Sequence, residues 1–435
     1  MKLQIEKMKY GGAGVARQPE GEGTAKTVLV PFTLPGELVE AQLTEKKTVL
    51  EEASLQKILN ASEDRVLPGC KHFGECGGCQ YQHAKYPAQV SIKTTILQGL
   101  LRHIGPQALP KIQAHTAEQW AYRNRIRMRV EDLEGALRIG YNRRGSNQFL
   151  AIQECPISVP LLWRAAGSLL AAATDNNSTA SRWIRNVSEV EFFTTADEKN
   201  LQMTLFVRKN QPGFAKLCDQ MKQQIPELVG AGTFLASPKS PQRQVQKPRL
   251  LESWGTTGLN YHAADEDYWV SRGGFFQVNR YLIDELVTVV VEERRGQLAW
   301  DLYAGGGLFS RQLAKRFQQV VAVEAAGNDL TNSFRGLGKR AIEATTVEFL
   351  RSAVVQRERP ELVVMDPPRA GVGAEVCSLL ARISAPEIVY VSCDPTTLAS
   401  DLKILVEAGY NIAALHMVDL FPQTFHLETV VVLRR

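Results

Sequence analysis

The carboxyl-terminal part of the chain carries four short runs that are apolar almost throughout, and each ends at a residue with useful chemistry. They are 298–303 (LAWDLY), which contains Asp301, 320–324 (VVAVE), ending at Glu324, 362–366 (LVVMD), ending at Asp366, and 388–392 (IVYVS), which stops just before Cys393. A strand with apolar side chains on both faces must be covered on both faces, and helical stretches separate these runs. That combination predicts a parallel sheet sandwiched by helices, an α/β fold of the Rossmann-like kind. Two further segments, 413–420 and 429–433, are expected to pair as a hairpin at the sheet edge. In such sheets ligands bind beyond the carboxyl ends of the strands. Asp301, Glu324, Asp366 and Cys393 are thereby candidates for one site.

The rest of the chain has a different texture. At 435 residues it is long enough for two to four domains, at about 100–200 residues each. Residues 1–57 alternate apolar and polar positions between glycines and prolines, which predicts a small β-barrel of the OB-like kind. Residues 87–104 read as a helix with an apolar stripe of Val90, Ile92, Ile96, Leu97, Leu100 and Leu101. From about 120 to 260 the pattern is strand-rich and irregular, and 237–243 has the composition of a mobile insertion. The expected organisation is a barrel over 1–57, a central β-rich domain over 58–86 and 105–265, and a Rossmann-like domain over 87–104 and 266–435. No apolar run approaches the roughly 20 residues of a membrane helix. The first residues lack the apolar core of a signal peptide, so a cytoplasmic monomer is expected. The net charge of +5 is too mild to identify a nucleic-acid partner by itself, so the placement of charge matters more.

The loop after the first run, Asp301-Leu302-Tyr303-Ala304-Gly305-Gly306-Gly307, allows a tight turn and a close backbone approach to a ligand. Glu324 ends the next strand, where a carboxylate accepts hydrogen bonds from ribose hydroxyls. The spacing is not that of a phosphate-binding Walker loop. A nucleoside without phosphates, such as S-adenosylmethionine, fits better, with Tyr303 and Gly305 against it; a plain turn is the alternative. Asp366-Pro367-Pro368-Arg369 stiffens the loop after the third run. Methylases acting on amino groups end a related loop with an aromatic residue, and Arg369 stands there instead. Cys393, followed by Asp394 and Pro395 at a helix start, is a candidate thiolate nucleophile. Glu428, just before the final strand, is a candidate general base; otherwise it is a surface carboxylate.

Seven cysteines, an odd number in a reducing compartment, argue against a disulfide framework. Cys70, Cys76 and Cys79 crowd into one stretch, which predicts a metal or a cluster, zinc being one choice. A second constellation is Arg123-x-Arg125-x-Arg127-x-Arg129, which puts four cations on one strand face, followed by Arg143 and Arg144. Arginine pairs with phosphate and stacks on bases, which suits RNA; a solvated face is the alternative.

Taken in order, these motifs resemble the RNA 5-methyluridine (uracil-5) methyltransferases, in the branch with an N-terminal TRAM barrel and an iron–sulfur cluster. The resemblance covers almost the whole chain. It rests on the barrel, Cys70-x5-Cys76-x2-Cys79 with Cys155-Pro156, Phe275-Phe276-Gln277-Val278-Asn279, Asp301-Leu302-Tyr303, Asp366-Pro367-Pro368-Arg369, Ser392-Cys393-Asp394-Pro395 and His426-Leu427-Glu428. It implies a Rossmann-like class I methyltransferase domain of EC class 2.1.1 that takes S-adenosylmethionine. It also implies a Cys393 adduct at carbon 6 of uracil and removal of the carbon-5 proton by Glu428. Gln277 would bind the uracil edge or the cofactor, Phe276 would pack beside it, and Asp366 would hold either in register. Cys70, Cys76, Cys79 and Cys155 match the ligands of a 4Fe–4S cluster. Cys218 and Cys377 are left as buried apolar residues.

The barrel and cluster resemble the branch that acts on 23S ribosomal RNA, which is preferred to transfer RNA. Some positions depart from the family pattern. Leu308 stands where an Asn is usual, Ala304 replaces a common Cys, Asn328 and Asn332 are spaced differently, and Thr346 replaces an acidic or amide residue near the adenine. Two other classes compete: an RNA-binding relative with a decayed cofactor site, and a methylase of cytosine carbon 5 or of amino groups.

Overall fold

Alternation of apolar and polar side chains closes the amino-terminal strands into a barrel. In this computed structural model the described residues are 1–20, 24–46, 50–106, 108–174, 178–236, 249–291, 293–326, 328–334 and 339–435. They form two units, one of Met1–Gln119, Pro367–Arg382 and Glu387–Arg435, the other of Trp120–Asp366 and Ile383–Pro386. In the first unit β1 (Lys2–Met8), β2 (Ala13–Glu20), β3 (Thr24–Pro31), β4 (Leu38–Lys46) and β5 (Leu50–Asn60) close in the order β1-β2-β3-β5-β4. The last strand continues to Asn60 rather than ending at 57. Leu3, Ile5, Ala16, Val28, Val30, Val39, Ala41 and Ala53 fill the barrel. Glu37, fully buried at its rim, accepts two bonds from the Arg65 guanidinium at 2.5 and 2.8 Å, which ties the barrel to the cysteine segment. Burial pushes the Glu37 carboxyl up, but Arg65 and the N–H groups of Leu34 and Ser62 outweigh it and hold the carboxyl below its usual range.

Pro87 starts α1 (Tyr86–Leu101), where a missing N–H costs nothing. Its buried side differs from the apolar stripe expected of it. Gln89, Lys93, Leu97 and Leu101 are buried, whereas Val90, Ile92 and Ile96 are only partly covered. The two polar residues face inward because they have buried partners: Lys93 donates to Asp419 at 2.6 Å and to the carbonyl of Phe421 at 2.9 Å, and Gln89 exchanges bonds with Gln423 at 3.0 and 2.9 Å. The short β6 (Ile112–His115) follows.

The second unit contains β7 (Arg125–Leu133), β8 (Ala136–Asn142), β9 (Phe149–Ala151), α2 (Pro160–Ala171), α3 (Thr179–Asn186), β10 (Val187–Thr194), β11 (Leu201–Val207), α4 (Phe214–Gln224), β12 (Leu228–Leu235) and β13 (Leu250–Gly255). Its strands make a sheet in the order β13-β12-β11-β10-β7-β8-β9. Three helices that the strand-rich texture did not announce, α2, α3 and α4, bury Leu162, Ala166, Trp183, Ile184, Leu217 and Met221 in one core with Ile126, Met128, Val190 and Phe192 of the sheet. The insertion expected at 237–243 lies outside the described residues. Next come the hairpin β14 (Gly258–Ala263) and β15 (Glu266–Ser271), then α5 (Ile283–Val291), β16 (Gly296–Leu302), α6 (Leu308–Ala314), β17 (Phe317–Glu324), α7 (Asn328–Ser333), β18 (Arg340–Glu343), α8 (Thr346–Gln356) and β19 (Leu362–Met365). The strands β18, β17, β16 and β19 pair in that order and all run parallel, as the apolar runs require.

The chain then supplies α9 (Gly373–Ile383), β20 (Glu387–Ser392), α10 (Pro395–Glu407), β21 (Asn411–Val418) and β22 (Glu428–Arg434). The expected hairpin forms, β21 antiparallel to β22, but it is not the edge of the sheet. The strand β22 lies between β20 and β21, antiparallel to both, and β6 pairs in parallel outside β21. The reason is burial: residues 428–433 are buried without exception, so this strand needs neighbours on both sides. No helix among the described residues is long and apolar enough to cross a membrane.

Candidate active site

In the second unit the glycine loop turns on backbone that few other residues tolerate. Tyr303, Gly305 and Gly307 have φ of 61°, 54° and 85°, and Gly307 begins α6. Glu324, the last residue of β17, accepts the N–H of Gly305 at 2.9 Å and that of Ala326 at 3.1 Å. A carboxylate has about four lone-pair sites, so acceptor capacity remains for a ribose. A side chain placed at Gly305 or Gly306 would meet nothing within 4 Å, which leaves the loop backbone open to a ligand. These features fit a nucleoside group. Asp301 is fully buried and accepts from the Ser310 hydroxyl; burial pushes its carboxyl up to about 7. Asp366, half-buried one residue beyond β19, is raised for the same reason, and then further by the charge of Asp301.

Gln277 is buried, and its backbone carbonyl accepts from the Asn124 amide at 3.1 Å. Phe276, its neighbour, lies in an aromatic cluster. It is buried against Tyr261 and Tyr268, with ring centroids 4.7 and 5.8 Å apart. Its neighbour Phe275 is the exposed ring, at 71%. Leu308 and Ala304, the departures from the family pattern, are buried, and the Leu308 carbonyl accepts from the Tyr268 hydroxyl at 3.1 Å. Thr346 is buried at the start of α8, just after the capping box made by Thr345 and Glu348.

In the first unit Cys393 follows β20 and Glu428 opens β22. The last rung between these antiparallel strands pairs Ser392 with Thr429. Cys393 and Glu428 are the residues next to that rung, one just past the end of β20 and the other at the start of β22. Glu428 is buried and Cys393 half-buried. Asp394 caps α10, accepting the N–H groups of Thr396 at 2.9 Å and Thr397 at 3.3 Å, and Pro395 occupies the first turn. The Thr397 hydroxyl donates to the carbonyl of Arg369 at 3.0 Å, so the loop carrying Asp-Pro-Pro-Arg is fastened to the helix behind the cysteine. Arg369 reaches His426 Nδ1 at 3.4 Å.

Several residues that hold this region had no motif to announce them. Asp401, buried in α10, accepts from the N–H of Val372 at 2.8 Å, the N–H of Gly373 at 3.1 Å and the Tyr390 hydroxyl at 2.7 Å. Lys93 and Asp419, with Gln89 and Gln423, clamp the segment leading to Glu428. Tyr10, in the barrel turn after β1, packs edge-on against Phe425 at 5.3 Å. The Gly11-Gly12 pair beside Tyr10 was the one available signal, since it marks a tight turn.

No disulfide forms among the described residues, which include all seven cysteines. Cys70, Cys76 and Cys79 lie half-buried in the first unit and Cys155 half-buried in the second. Cys76 Sγ accepts the N–H of Gly78 at 3.4 Å. Burial pushes the Cys76 thiol up, the Gly78 bond opposes this, and the charge of Cys70 adds to the rise, so those two thiols sense each other. Among the described residues, however, no group of three or more His, Cys, Asp or Glu is gathered to hold a metal ion. Cys218 and Cys377 are buried as expected, and burial pushes the Cys377 thiol up to about 12.

The arginine strand alternates as predicted: Ile126, Met128 and Val130 enter the core, and Arg125, Arg127 and Arg129 take the other face. Arg123 precedes the strand and bridges to Ser158 and Asn279 instead. The face is an internal ladder. Arg125 lies 4.0 Å from the Phe193 ring and pairs with Glu191 at 3.7 Å; Arg127 lies 3.7 Å from Phe206 and pairs with Glu189; Arg129 lies 5.5 Å from Phe149 and pairs with Glu131. Arg143 and Arg144 are exposed in the turn between β8 and β9.

The parallel strands of the second unit, with an open glycine turn and a strand-end carboxylate, are those of a methyltransferase fold; in the first unit Cys393 and the buried Glu428 lie next to the last rung between β20 and β22. The model of the tRNA (uracil-5-)-methyltransferase family matches residues 85–356 and 339–435, and the chain belongs to that family. It is 30% identical over 446 residues to the 23S rRNA (uracil(1939)-C(5))-methyltransferase RlmD of Chromohalobacter salexigens, covering 100% of this chain and 89% of the relative. To the enzyme of the same name from Halomonas elongata it is 32% identical over 459 residues, covering 99% and 89%. Among solved structures it is similar to the Pyrococcus abyssi tRNA (uracil-54, C5)-methyltransferase in complex with S-adenosyl-L-homocysteine, with a TM-score of 0.77 and 23% identity across 100% of both chains. The chain is accordingly an RNA uracil-5 methyltransferase.

Proposed function

We propose that this enzyme methylates carbon 5 of a uridine in large-subunit ribosomal RNA, with S-adenosylmethionine as donor, Cys393 as nucleophile and Glu428 as base. The observation that carries the reading is the Ser392–Thr429 rung, which brings the strand ends bearing Cys393 and Glu428 side by side. Bound S-adenosylmethionine supplies an electrophilic methyl group; Tyr303, Gly305, Glu324, Asp366 and Gln277 are the residues read as holding it. The Cys393 thiolate adds to carbon 6 of uracil, and the carbon 5–carbon 6 π electrons move into an enolate. Carbon 5, now nucleophilic, gains the methyl, the methyl–sulfur bond breaks, and its electron pair stays on sulfur to leave S-adenosylhomocysteine. Glu428 then takes the carbon-5 proton, the electron pair re-forms the double bond, and the carbon 6–sulfur bond breaks to return the thiolate. The buried setting of Glu428 suits a base that works away from bulk water.

The choice of ribosomal RNA rests on relatives of that specificity matching the chain from end to end. The barrel, Arg123, Arg125, Arg127, Arg129, Arg143 and Arg144 are read as its RNA-binding parts, and Cys70, Cys76, Cys79 and Cys155 as ligands of a 4Fe–4S cluster once iron is supplied. The test uses labelled RNA on a denaturing gel. Glu428→Gln should stall as a covalent protein–RNA adduct that forms only with S-adenosylmethionine, and Cys393→Ala should give neither adduct nor product. Methylation by Cys393→Ala at the parental rate would end this mechanism. Mapping the methylated uridine after incubation with total RNA separates ribosomal from transfer RNA.

A further inference from the structure

The barrel reaches the catalytic region through one aromatic side chain. Tyr10 sits in the turn between β1 and β2, and that turn is sterically determined. Gly12 has φ of +91°, and a side chain there would lie 2.8 Å from Gln80 Cβ and 3.7 Å from Phe425 Cβ. Gln80 is itself fastened to the segment that carries the base: its N–H donates to the Gln423 carbonyl at 3.0 Å, and its side-chain oxygen accepts from the Phe425 N–H at 3.4 Å. So placed, the Tyr10 ring meets Phe425 edge-on, at 5.3 Å and 86°. Phe425 lies 4.2 Å from the ring of His426, which Arg369 contacts at 3.4 Å, and Glu428 follows two residues later. The hydroxyl of Tyr10 is held protonated, first by burial and then by the charge of Asp394. Cys393 and Glu428 act in the same direction and Arg369 opposes them, so the phenol lies within electrostatic reach of these four groups.

We infer that Tyr10 is a positioning residue for the methyl-transfer reaction: its ring, through Phe425 and His426, sets the orientation of Glu428 for removal of the carbon-5 proton. The barrel is then part of the catalytic apparatus as well as a surface for RNA. The inference rests on Glu428 being the base. It assigns Tyr10 to the last chemical step, after thiolate addition and methyl transfer, where misplacing the base leaves the methylated adduct intact.

The experiment compares Tyr10→Ala, Tyr10→Phe, Phe425→Leu and Glu428→Gln in the full-length protein, with unmethylated large-subunit ribosomal RNA and labelled S-adenosylmethionine. Tyr10→Ala and Phe425→Leu should slow release of methylated RNA by about three- to tenfold, the scale of one lost aromatic pair. The methylated adduct should accumulate on a denaturing gel, while half-saturation by RNA stays within about twofold. Tyr10→Phe keeps the ring and should behave as the parent. If Glu428→Gln traps the adduct but neither Tyr10→Ala nor Phe425→Leu accumulates any, the inference is overturned. A loss of RNA affinity without adduct would make Tyr10 an RNA contact only, and Tyr10→Phe as impaired as Tyr10→Ala would remove the ring from the explanation. If Glu428→Gln itself traps nothing, the assignment of the base fails, and the role inferred for Tyr10 falls with it.

Discussion

Replacing Lys93 with Met should destabilise the protein far more than a lysine-to-methionine change on a helix surface. The ammonium is 1% exposed, the Asp419 carboxylate is completely buried, and they meet at 2.6 Å, with the Phe421 carbonyl a second acceptor at 2.9 Å. Removing one partner of such a pair leaves an uncompensated charge in the interior, at a cost of about 3–5 kcal/mol. That is a large part of the roughly 5–15 kcal/mol that separates a folded domain from its unfolded chain. The double variant Lys93→Met/Asp419→Leu removes both charges and should recover most of the loss, because burying the pair was itself expensive. Guanidinium denaturation followed by circular dichroism reads all three proteins. A loss below about 1 kcal/mol in the single variant, or a double variant no more stable than the single, would refute this account of the pair. The clamp also holds the 419–423 segment that precedes Glu428, so activity should fall at temperatures where Lys93→Met is still folded.

Asp301 should shape the pH dependence of stability. Its folded carboxyl titrates near about 7, above its unfolded value, so between roughly pH 4 and 7 the folded state binds more protons and stability declines as pH rises, by up to about 1.4 kcal/mol per pH unit. Asp301→Asn should flatten that decline and let Asp366, relieved of a neighbouring charge, titrate lower; parallel denaturation midpoints from pH 5 to 7.5 would contradict it. Arg143→Ala and Arg144→Ala should each lower the salt-dependence slope of RNA binding by about 0.7 for a lost single-strand phosphate contact. Slopes equal to the parent's in both variants would show that the turn does not carry phosphate contacts. Protein purified without oxygen should hold about four irons, and Cys155→Ser should lose them; stoichiometric zinc in a colourless protein would count against the cluster.

What local pattern reveals here is chemistry at strand ends, and what it hides is who holds it. The apolar runs at Asp301, Glu324, Asp366 and Cys393 are legible because a strand buried on both faces is apolar almost throughout, so polar residues appear at or close to its end. The pairing that brings the strand ends of Cys393 and Glu428 side by side is not legible in the same way. It depends on β22 entering between β20 and β21, and a hairpin pattern alone does not say which of its strands lies inside. The arginine strand is legible in one respect and not in another. Its alternation is plain, and Glu131, the partner of Arg129, lies two residues on; but the partners of Arg125 and Arg127 lie on the neighbouring strand some sixty residues later, at Glu191 and Glu189, and no local rule couples them.

Lys93 and Gln89 look like the solvent side of a helix because an isolated amphipathic stripe would put them there. They are inside because Asp419, Phe421 and Gln423, more than three hundred residues later, bring polar groups that must be satisfied without water. A polar residue on the buried side of a helix is expensive unless its partner is fixed, and fixing the partner also fixes the backbone that carries it. That exchange explains why an apolar stripe was not used on α1: leucines at 89 and 93 would bury more apolar surface but would leave the segment before Glu428 without hydrogen-bonded anchors. The restraint on the proposed base therefore comes from a helix near the start of the chain, through side chains whose only sequence signature is that they interrupt the hydrophobic pattern.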